Sequence, residues 1–321
     1  MKYIKKLLEV KDLRINFETL YGTLKVINGV NLVINEGEIV GLVGESGCGK
    51  STLALSIIGL LPPNAKLVGG KIYFQNNEIN ILDEKSMEKI RGRKISMVFQ
   101  EPLTSLNPVL TIGEQLMEVI KIGSKDKNVK KEEAIEWLRK VGIPDPERTL
   151  KRYPHELSGG MRQRIMILMA LVTKPLLMIA DEPTTALDVT TEAQILRLVK
   201  RLVEENKVSV LFISHDLGVV AQIADRVAVM YAGKIVEESN IFEIFENPLH
   251  PYTKDLLSSL PKLGGKSDRL LTIKGSVPNL FKLPKGCIYH PRCKYVMSKC
   301  MVDEPELKEY ISKRKVSCFL Y

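Results

Sequence analysis

The chain has 321 residues, is 45% hydrophobic and 26% charged, and carries a formal net charge of +9. That size and balance fit one large or two moderate domains with a real core, and they exclude a disordered or fibrous chain. No apolar run is long enough to span a bilayer, and the basic start Met1–Lys6 leads into a stretch, Leu7-Leu8, that stops at Glu9, so no export signal is read. Lysines and arginines are spread along the chain with no basic block interleaved with aromatics. The charge therefore reads as a solvated surface that could face anionic headgroups, not as a nucleic-acid footprint.

Leu7–Phe17, Leu24–Ile34 and Glu38–Val43, broken at Gly22 and Glu36-Gly37, predict three strands. The third feeds into Gly44-Glu45-Ser46-Gly47-Cys48-Gly49-Lys50-Ser51, a G-x-x-x-x-G-K-[ST] phosphate loop. Lys50–Leu61 predicts the helix that follows, stopped by Pro62-Pro63. Gly69–Phe74 predicts another β element, and Ile95–Phe99 a short strand ending at Gln100. From Thr111 to about Val172 the texture is helical. Ala134, Trp137, Leu138 and Val141 share one helix face that Gly142 can cap, so Trp137 reads as a core side chain.

Leu176–Ala180 and Val208–Ile213 are unbroken apolar runs typical of buried parallel strands, with a crossover helix at Thr190–Glu205 between them. Val227–Tyr231 and Lys234–Val236 flank Ala232-Gly233 as a hairpin. Two short helices, near Ile241–Phe245 and Tyr252–Leu260, lead into a Pro- and Gly-rich tail. The pattern is α/β, and it contains no internal repeat, so the chain carries one such unit.

The phosphate loop works by geometry. Its glycines let backbone N–H groups turn inward around an anion, and the helix N-terminus adds its dipole. Lys50 is expected to reach the β- and γ-phosphates, Ser51 to hold Mg²⁺ and Thr52 to donate to the α-phosphate. Asp181 ends a buried strand and can hold Mg²⁺ through water, while the adjacent Glu182 can orient or deprotonate the attacking water.

The phosphate loop, the sequence Leu157-Ser158-Gly159-Gly160-Met161 and the acidic pair, in that order, resemble an ABC ATPase. The resemblance implies a RecA-like parallel-sheet core, an antiparallel β subdomain and a helical subdomain. It implies that Gln100 contacts Mg²⁺ and faces a membrane subunit. It makes Ser158, Gly159, Gly160 and Met161 the signature that contacts the γ-phosphate of ATP on an opposite subunit, with Met161 where glutamine is commoner. Ala186-Leu187-Asp188 resembles the D-loop, and His215 the switch histidine. Tyr21, with Phe17 as second choice, is the candidate to stack on adenine.

Gln100–Pro108, Leu157–Arg162 and Asn247-Pro248-Leu249-His250-Pro251-Tyr252-Thr253 look like the ATPase subunits of dipeptide and oligopeptide importers, a pattern that nickel importers share. That resemblance implies a cassette at 1–240, with a helical subdomain at about 101–172, and a C-terminal extension at 241–321. It implies a partner ATPase, identical or not, two permeases and an external solute-binding protein. It places the chain peripherally on the cytoplasmic face of the membrane. A soluble ABC ATPase acting on nucleic acid is the rival, but such chains carry two cassettes or a long coiled-coil insertion, and neither is present here. An exporter ATPase, which often carries its own membrane span, is disfavoured because no such span is read here.

Cys48 lies in the phosphate loop, and the other cysteines, Cys287, Cys293, Cys300 and Cys318, cluster in the tail. Without an export signal, clustered cysteines point to metal before disulfide. Four thiolates suit a [4Fe–4S] cluster or Zn²⁺, and the wide spacings fit paired zinc knuckles poorly, so the cluster is the expectation, with zinc and then free buried thiols as the alternatives. His290 is a less favoured ligand. A metal would staple a loop-rich module with little core.

Overall fold

The computed structural model describes residues 5–100, 105–124, 131–185, 187–260, 273, 275–311 and 313–321. Its strands are β1 (Lys6–Thr19), β2 (Gly22–Asn35), β3 (Ile39–Val43), β4 (Ala65–Phe74), β5 (Asn77–Glu78), β6 (Ile95–Val98), β7 (Leu177–Asp181), β8 (Ser209–Ser214), β9 (Arg226–Tyr231), β10 (Lys234–Asn240), β11 (Lys308–Ile311) and β12 (Arg314–Val316). The chain forms two compact units, one centred on Leu82–Phe212, the other made of Leu8–Ile34, Ile39–Ile81 and Ile213–Tyr321.

In the first unit β6, β7 and β8 lie in that order, β6 and β7 pairing in parallel from Ile95 opposite Leu177 to Val98 opposite Ala180. Every residue of β7 and β8 is buried. This is why the sequence there shows no alternation: a parallel strand covered on both faces has no polar side. Helices Ile112–Gly123, Lys131–Lys140, Gly159–Val172 and Val189–Asn206 pack in this unit, and the third of them lies against β6. Thr111 and Glu114 form a reciprocal capping box at the start of the first. Trp137 is buried with Ala134 and Leu138, as the helical periodicity predicts. Arg164 and Arg201 donate to the carbonyls of Val141 and Lys140, satisfying the C-terminal end of that helix.

In the second unit β2, β1, β4 and β5 form one antiparallel-type sheet, β1 running antiparallel to β4. Another five strands of this unit lie in the order β11-β12-β10-β9-β3. β3 pairs in parallel with β9, and β9 and β10 form the expected hairpin. The helix after the phosphate loop ends at Ile57, short of the predicted Leu61, because Gly59 turns into the left-handed region at φ 65° ahead of the prolines. The tail is less loop-like than its composition predicts. β12 adds antiparallel to β10, with Glu237 opposite Val316, and β11 adds to β12. β11 is a short run of exposed residues, Lys308-Glu309-Tyr310-Ile311, so its pairing comes from tertiary context and not from a hydrophobic pattern.

The segment after β10 is anchored by one buried carboxylate. Glu237 is fully buried and accepts from the backbone N–H groups of Leu249 and His250, each at 2.8 Å. His250 then caps helix Pro251–Ser258, its Nδ1 accepting from the Tyr252 N–H at 3.1 Å. An accepting Nδ1 requires a neutral ring, and burial first, then the charge of Lys254, pushes the His250 pKa down to about 3. Its unfolded value is near 6.5, so as pH falls below 6.5 the unfolded chain gains a proton that the fold refuses. At pH 5 this costs about 2 kcal/mol of stability relative to pH 7. Chemical denaturation of the wild type and of His250→Asn, a neutral side chain that still caps, should therefore show a smaller loss between pH 7 and pH 5 in the variant. Parallel losses would place the acid sensitivity elsewhere.

Candidate nucleotide site

The phosphate loop follows β3 and opens helix Lys50–Ile57. Gly44 has no room for a side chain: a Cβ would lie 2.1 Å from the Met230 carbonyl oxygen. Gly49 is the N-cap at φ 107°, and it leaves the helix N-terminus without a side-chain cap, so the backbone donors there stay available to an anion. Lys50 is buried, and its Nζ donates to the carbonyls of Gly44 at 2.8 Å and Glu45 at 3.2 Å, which folds it back over the loop. Cys48 is buried beside it, and burial raises the thiol pKa more than Lys50 lowers it, so this sulfur stays protonated and inert. The Cys48 carbonyl accepts from the Gly233 N–H at 2.9 Å.

Two side chains from the C-terminal segment grip this loop, and the sequence reading assigned neither of them to it. The Tyr252 hydroxyl accepts from the Glu45 N–H at 2.9 Å. Arg292 makes a two-pronged pair with the Glu45 carboxylate, Nη1 to Oε2 at 2.7 Å and Nη2 to Oε1 at 3.1 Å, and Nη1 also reaches the Tyr231 hydroxyl at 3.3 Å. The Arg292 side chain is only 5% exposed. It lies against the rings of Tyr231 and Tyr289, which with Tyr252 form a buried aromatic cluster with centroids 4.6 to 5.4 Å apart. The His-Pro-Tyr run marks Tyr252 in the sequence, but a contact across 207 or 247 positions has no local signature.

In the other unit, Asp181 ends β7 in a buried position and Glu182 follows at φ 47°. A non-glycine residue held in that region marks a constrained site. Gln100 Nε2 donates to Glu182 Oε2 at 3.2 Å, and the Thr185 hydroxyl donates to the same oxygen at 3.0 Å. The structure thus brings Gln100, Glu182 and Thr185 together. Ser158 caps helix Gly159–Val172, its hydroxyl accepting from the Met161 N–H at 3.3 Å. Asp188 caps helix Val189–Asn206 and accepts from the Thr191 N–H and hydroxyl, hydrogen bonds that lower its pKa. Thr191 also limits Gly160, where a Cβ would lie 2.9 Å from its methyl. Thr191 therefore lies beside both Gly160 and Asp188. Ala186 and Glu101–Thr104 lie outside the described residues.

His215 follows β8 at an exposed position. Tyr21 lies in the turn between β1 and β2 and is 88% exposed, with its ring open to a stacking partner, whereas Phe17 lies within β1.

All four tail cysteines line one small cavity of about 10 Å³, together with Tyr289, His290 and Phe319. Burial is the main cause that pushes Cys287 up to about 11, and it raises Cys293 and Cys318 as well. Among the described residues, however, no group of three or more His, Cys, Asp or Glu side chains is arranged to hold a metal ion. The expectation of ready-made metal ligands is corrected to that extent. Cys287, Cys293 and Cys318 favour their protonated form, so a metal would have to displace those protons and draw the sulfurs in.

The tightness around Gly44 makes it a direct test of loop geometry. Gly44→Ala forces the loop off the Met230 carbonyl and should cost about 1–3 kcal/mol along with ATP affinity. Unchanged melting and unchanged ATP binding would show that the loop has room.

A family model described as "ABC transporter" matches residues 27–185, and one described as "Oligopeptide/dipeptide transporter, C-terminal region" matches residues 236–300. The chain is 50% identical to the oligopeptide transport ATP-binding protein AppD of Bacillus subtilis, over 98% of this chain and 97% of that one. It is 47% identical to the oligopeptide transport ATP-binding protein OppD of Escherichia coli, over 98% and 93%. Among solved structures it resembles the dimeric ATP-binding cassette MJ0796 bound to ADP and Pi in a post-hydrolysis state, with a TM-score of 0.66 and 31% identity over 73% of this chain and 99% of that one. With its phosphate loop, acidic pair and capped signature helix in hand, this chain belongs to the ABC ATPases, among the ATP-binding subunits of oligopeptide and dipeptide transporters.

Proposed function

We propose that this chain hydrolyses ATP to power uptake of dipeptides or oligopeptides through a pair of membrane permeases. The observation that carries the reading is likeness over nearly the whole chain, tail included, to peptide-transport ATP-binding proteins. No described helix is long and apolar enough to cross a membrane, which fits a subunit that works against separate permeases on the cytoplasmic face. Gln100 and the helical region after it supply the docking face in this reading, and an external binding protein delivers the peptide.

The residue roles follow the chemistry. Lys50 and the loop N–H groups bind the phosphates, Thr52 adds a donor, and Tyr21 stacks on adenine. Ser51, Gln100 and Asp181 serve the Mg²⁺ that ATP brings. Glu182, held by Gln100 and Thr185, sets the attacking water, and His215 senses the γ-phosphate. Ser158, Gly159, Gly160 and Met161 of a second subunit close over the γ-phosphate, with Asp188 beside that interface. Neither chain completes the phosphate cage alone, so ATP closes the pair, and loss of the γ-phosphate after hydrolysis lets it open.

Glu182→Gln keeps the shape and removes the base. It should bind ATP as the wild type does and lower kcat by about 10²-fold or more, measured by nucleotide binding beside single-turnover hydrolysis. Near wild-type turnover would remove Glu182 from that role.

We propose further that Cys287, Cys293, Cys300 and Cys318 take up a [4Fe–4S] cluster. Their enclosure of one cavity supports a shared group. The wide cysteine spacings fit paired zinc knuckles poorly and suit a larger cluster, which would have to draw the four sulfurs together on binding. Bound there, a cluster would crosslink the tail segments as a staple. Protein purified without oxygen should be brown, with several irons per chain. A colourless sample carrying one zinc would replace the cluster with the simpler ion.

A further inference from the structure

The phosphate loop contains one carboxylate, Glu45, in a loop whose other features all favour anions. Left bare, that charge would oppose the binding of a triphosphate. It is not left bare. Arg292, one residue before Cys293, covers both of its oxygens, and the Arg292 side chain is itself almost wholly buried against the tyrosine cluster. A guanidinium fork on a carboxylate fixes direction as well as charge. The same residue's N–H is held by Tyr252. Glu45 is therefore clamped at its backbone and at its side chain, both times by the C-terminal segment.

The clamp connects directly to the cysteine segment. The Arg292 N–H donates to the Tyr289 carbonyl at 3.0 Å, and the Tyr289 hydroxyl donates to Asp255 at 2.6 Å. The Cys293 N–H donates to the His290 carbonyl at 3.2 Å, and the Cys287 N–H to the Cys300 carbonyl at 2.8 Å. A short hydrogen-bonded stretch, Cys287 to Cys293, thus carries two of the four thiols and the arginine.

We propose that Arg292 is a positioning residue for ATP binding: it neutralises Glu45 and, with Tyr252, sets the phosphate loop, so that the cysteine-bearing segment controls the affinity of the loop for nucleotide. The proposal rests on the phosphate loop being the ATP site. Failure of that reading would appear as wild-type protein that does not bind ATP, and failure of the proposal as variants that bind like the wild type.

The test uses the full chain and a fluorescent ATP analogue with Mg²⁺, beside steady-state hydrolysis. Arg292→Met keeps the apolar stem and removes the charge. It should weaken nucleotide binding by about fivefold or more, with the loss falling on KM more than on kcat. Arg292→Met/Glu45→Gln removes the exposed carboxylate too and should bind at least about threefold more tightly than the single variant. Arg292→Lys, which keeps charge without the fork, should fall between wild type and Arg292→Met. A smaller loss in Arg292→Met, or a double variant no better than the single one, overturns the proposal. Should Arg292→Met fail to fold, hydrogen exchange on the wild type decides. Nucleotide should slow exchange of the backbone amides between Cys287 and Cys293, and unchanged exchange there overturns the proposal as well.

Discussion

The arrangement depends on how a loop of glycines is given a fixed shape. A phosphate loop recognises its ligand with backbone N–H groups, and the residues that let those groups turn inward contribute little side-chain packing of their own. Its conformation must be imposed by neighbours. In this chain they are the Met230 carbonyl that excludes a side chain at Gly44, the Gly233 N–H on the Cys48 carbonyl, and the Tyr252 and Arg292 grip on Glu45. Met230 and Gly233 belong to the β9–β10 hairpin, and Tyr252 and Arg292 to the C-terminal segment. The binding loop is thus as much a product of the chain's last hundred residues as of its own motif.

The carboxylate after β7 shows the same economy in the other unit. Glu182 is held in an unfavourable backbone conformation, and one of its oxygens takes hydrogen bonds from Gln100 and Thr185. A carboxylate so restrained cannot wander, which is what orienting a water demands. Ser158 and Asp188 each cap a helix, and the methyl of Thr191, whose hydroxyl and N–H bind Asp188, crowds Gly160. The starts of these two helices therefore lie close together at Gly160 and Thr191.

Much of this was legible from residues alone, for reasons that can be named. Buried parallel strands announce themselves by unbroken apolar runs, so β7, β8 and the strand before the phosphate loop were readable, as was the helix face carrying Trp137. The nucleotide motifs were readable because their chemistry fixes residue type at each spacing. What was not readable depends on long-range pairing. β11 and β12 carry charge and little pattern, and they exist because β10 offers an edge. Arg292 meets Glu45 across 247 positions of sequence, and no local rule predicts such a pair. The His-Pro-Tyr run was visible, but its work, a neutral capping histidine and a tyrosine on the phosphate loop, required coordinates. The thiol quartet lies between these cases: four spaced cysteines predict a shared site, and they do share a cavity, but no grouping arranged to hold a metal is present among the described residues.

The most direct test of the account is transport. Proteoliposomes should carry this chain with the permeases that co-purify with it, ATP inside or outside according to orientation, and a labelled oligopeptide delivered by the matching binding protein. The account predicts peptide accumulation that requires hydrolysable ATP and stops with a non-hydrolysable analogue. Nickel uptake without peptide uptake, or peptide movement indifferent to ATP, would contradict it.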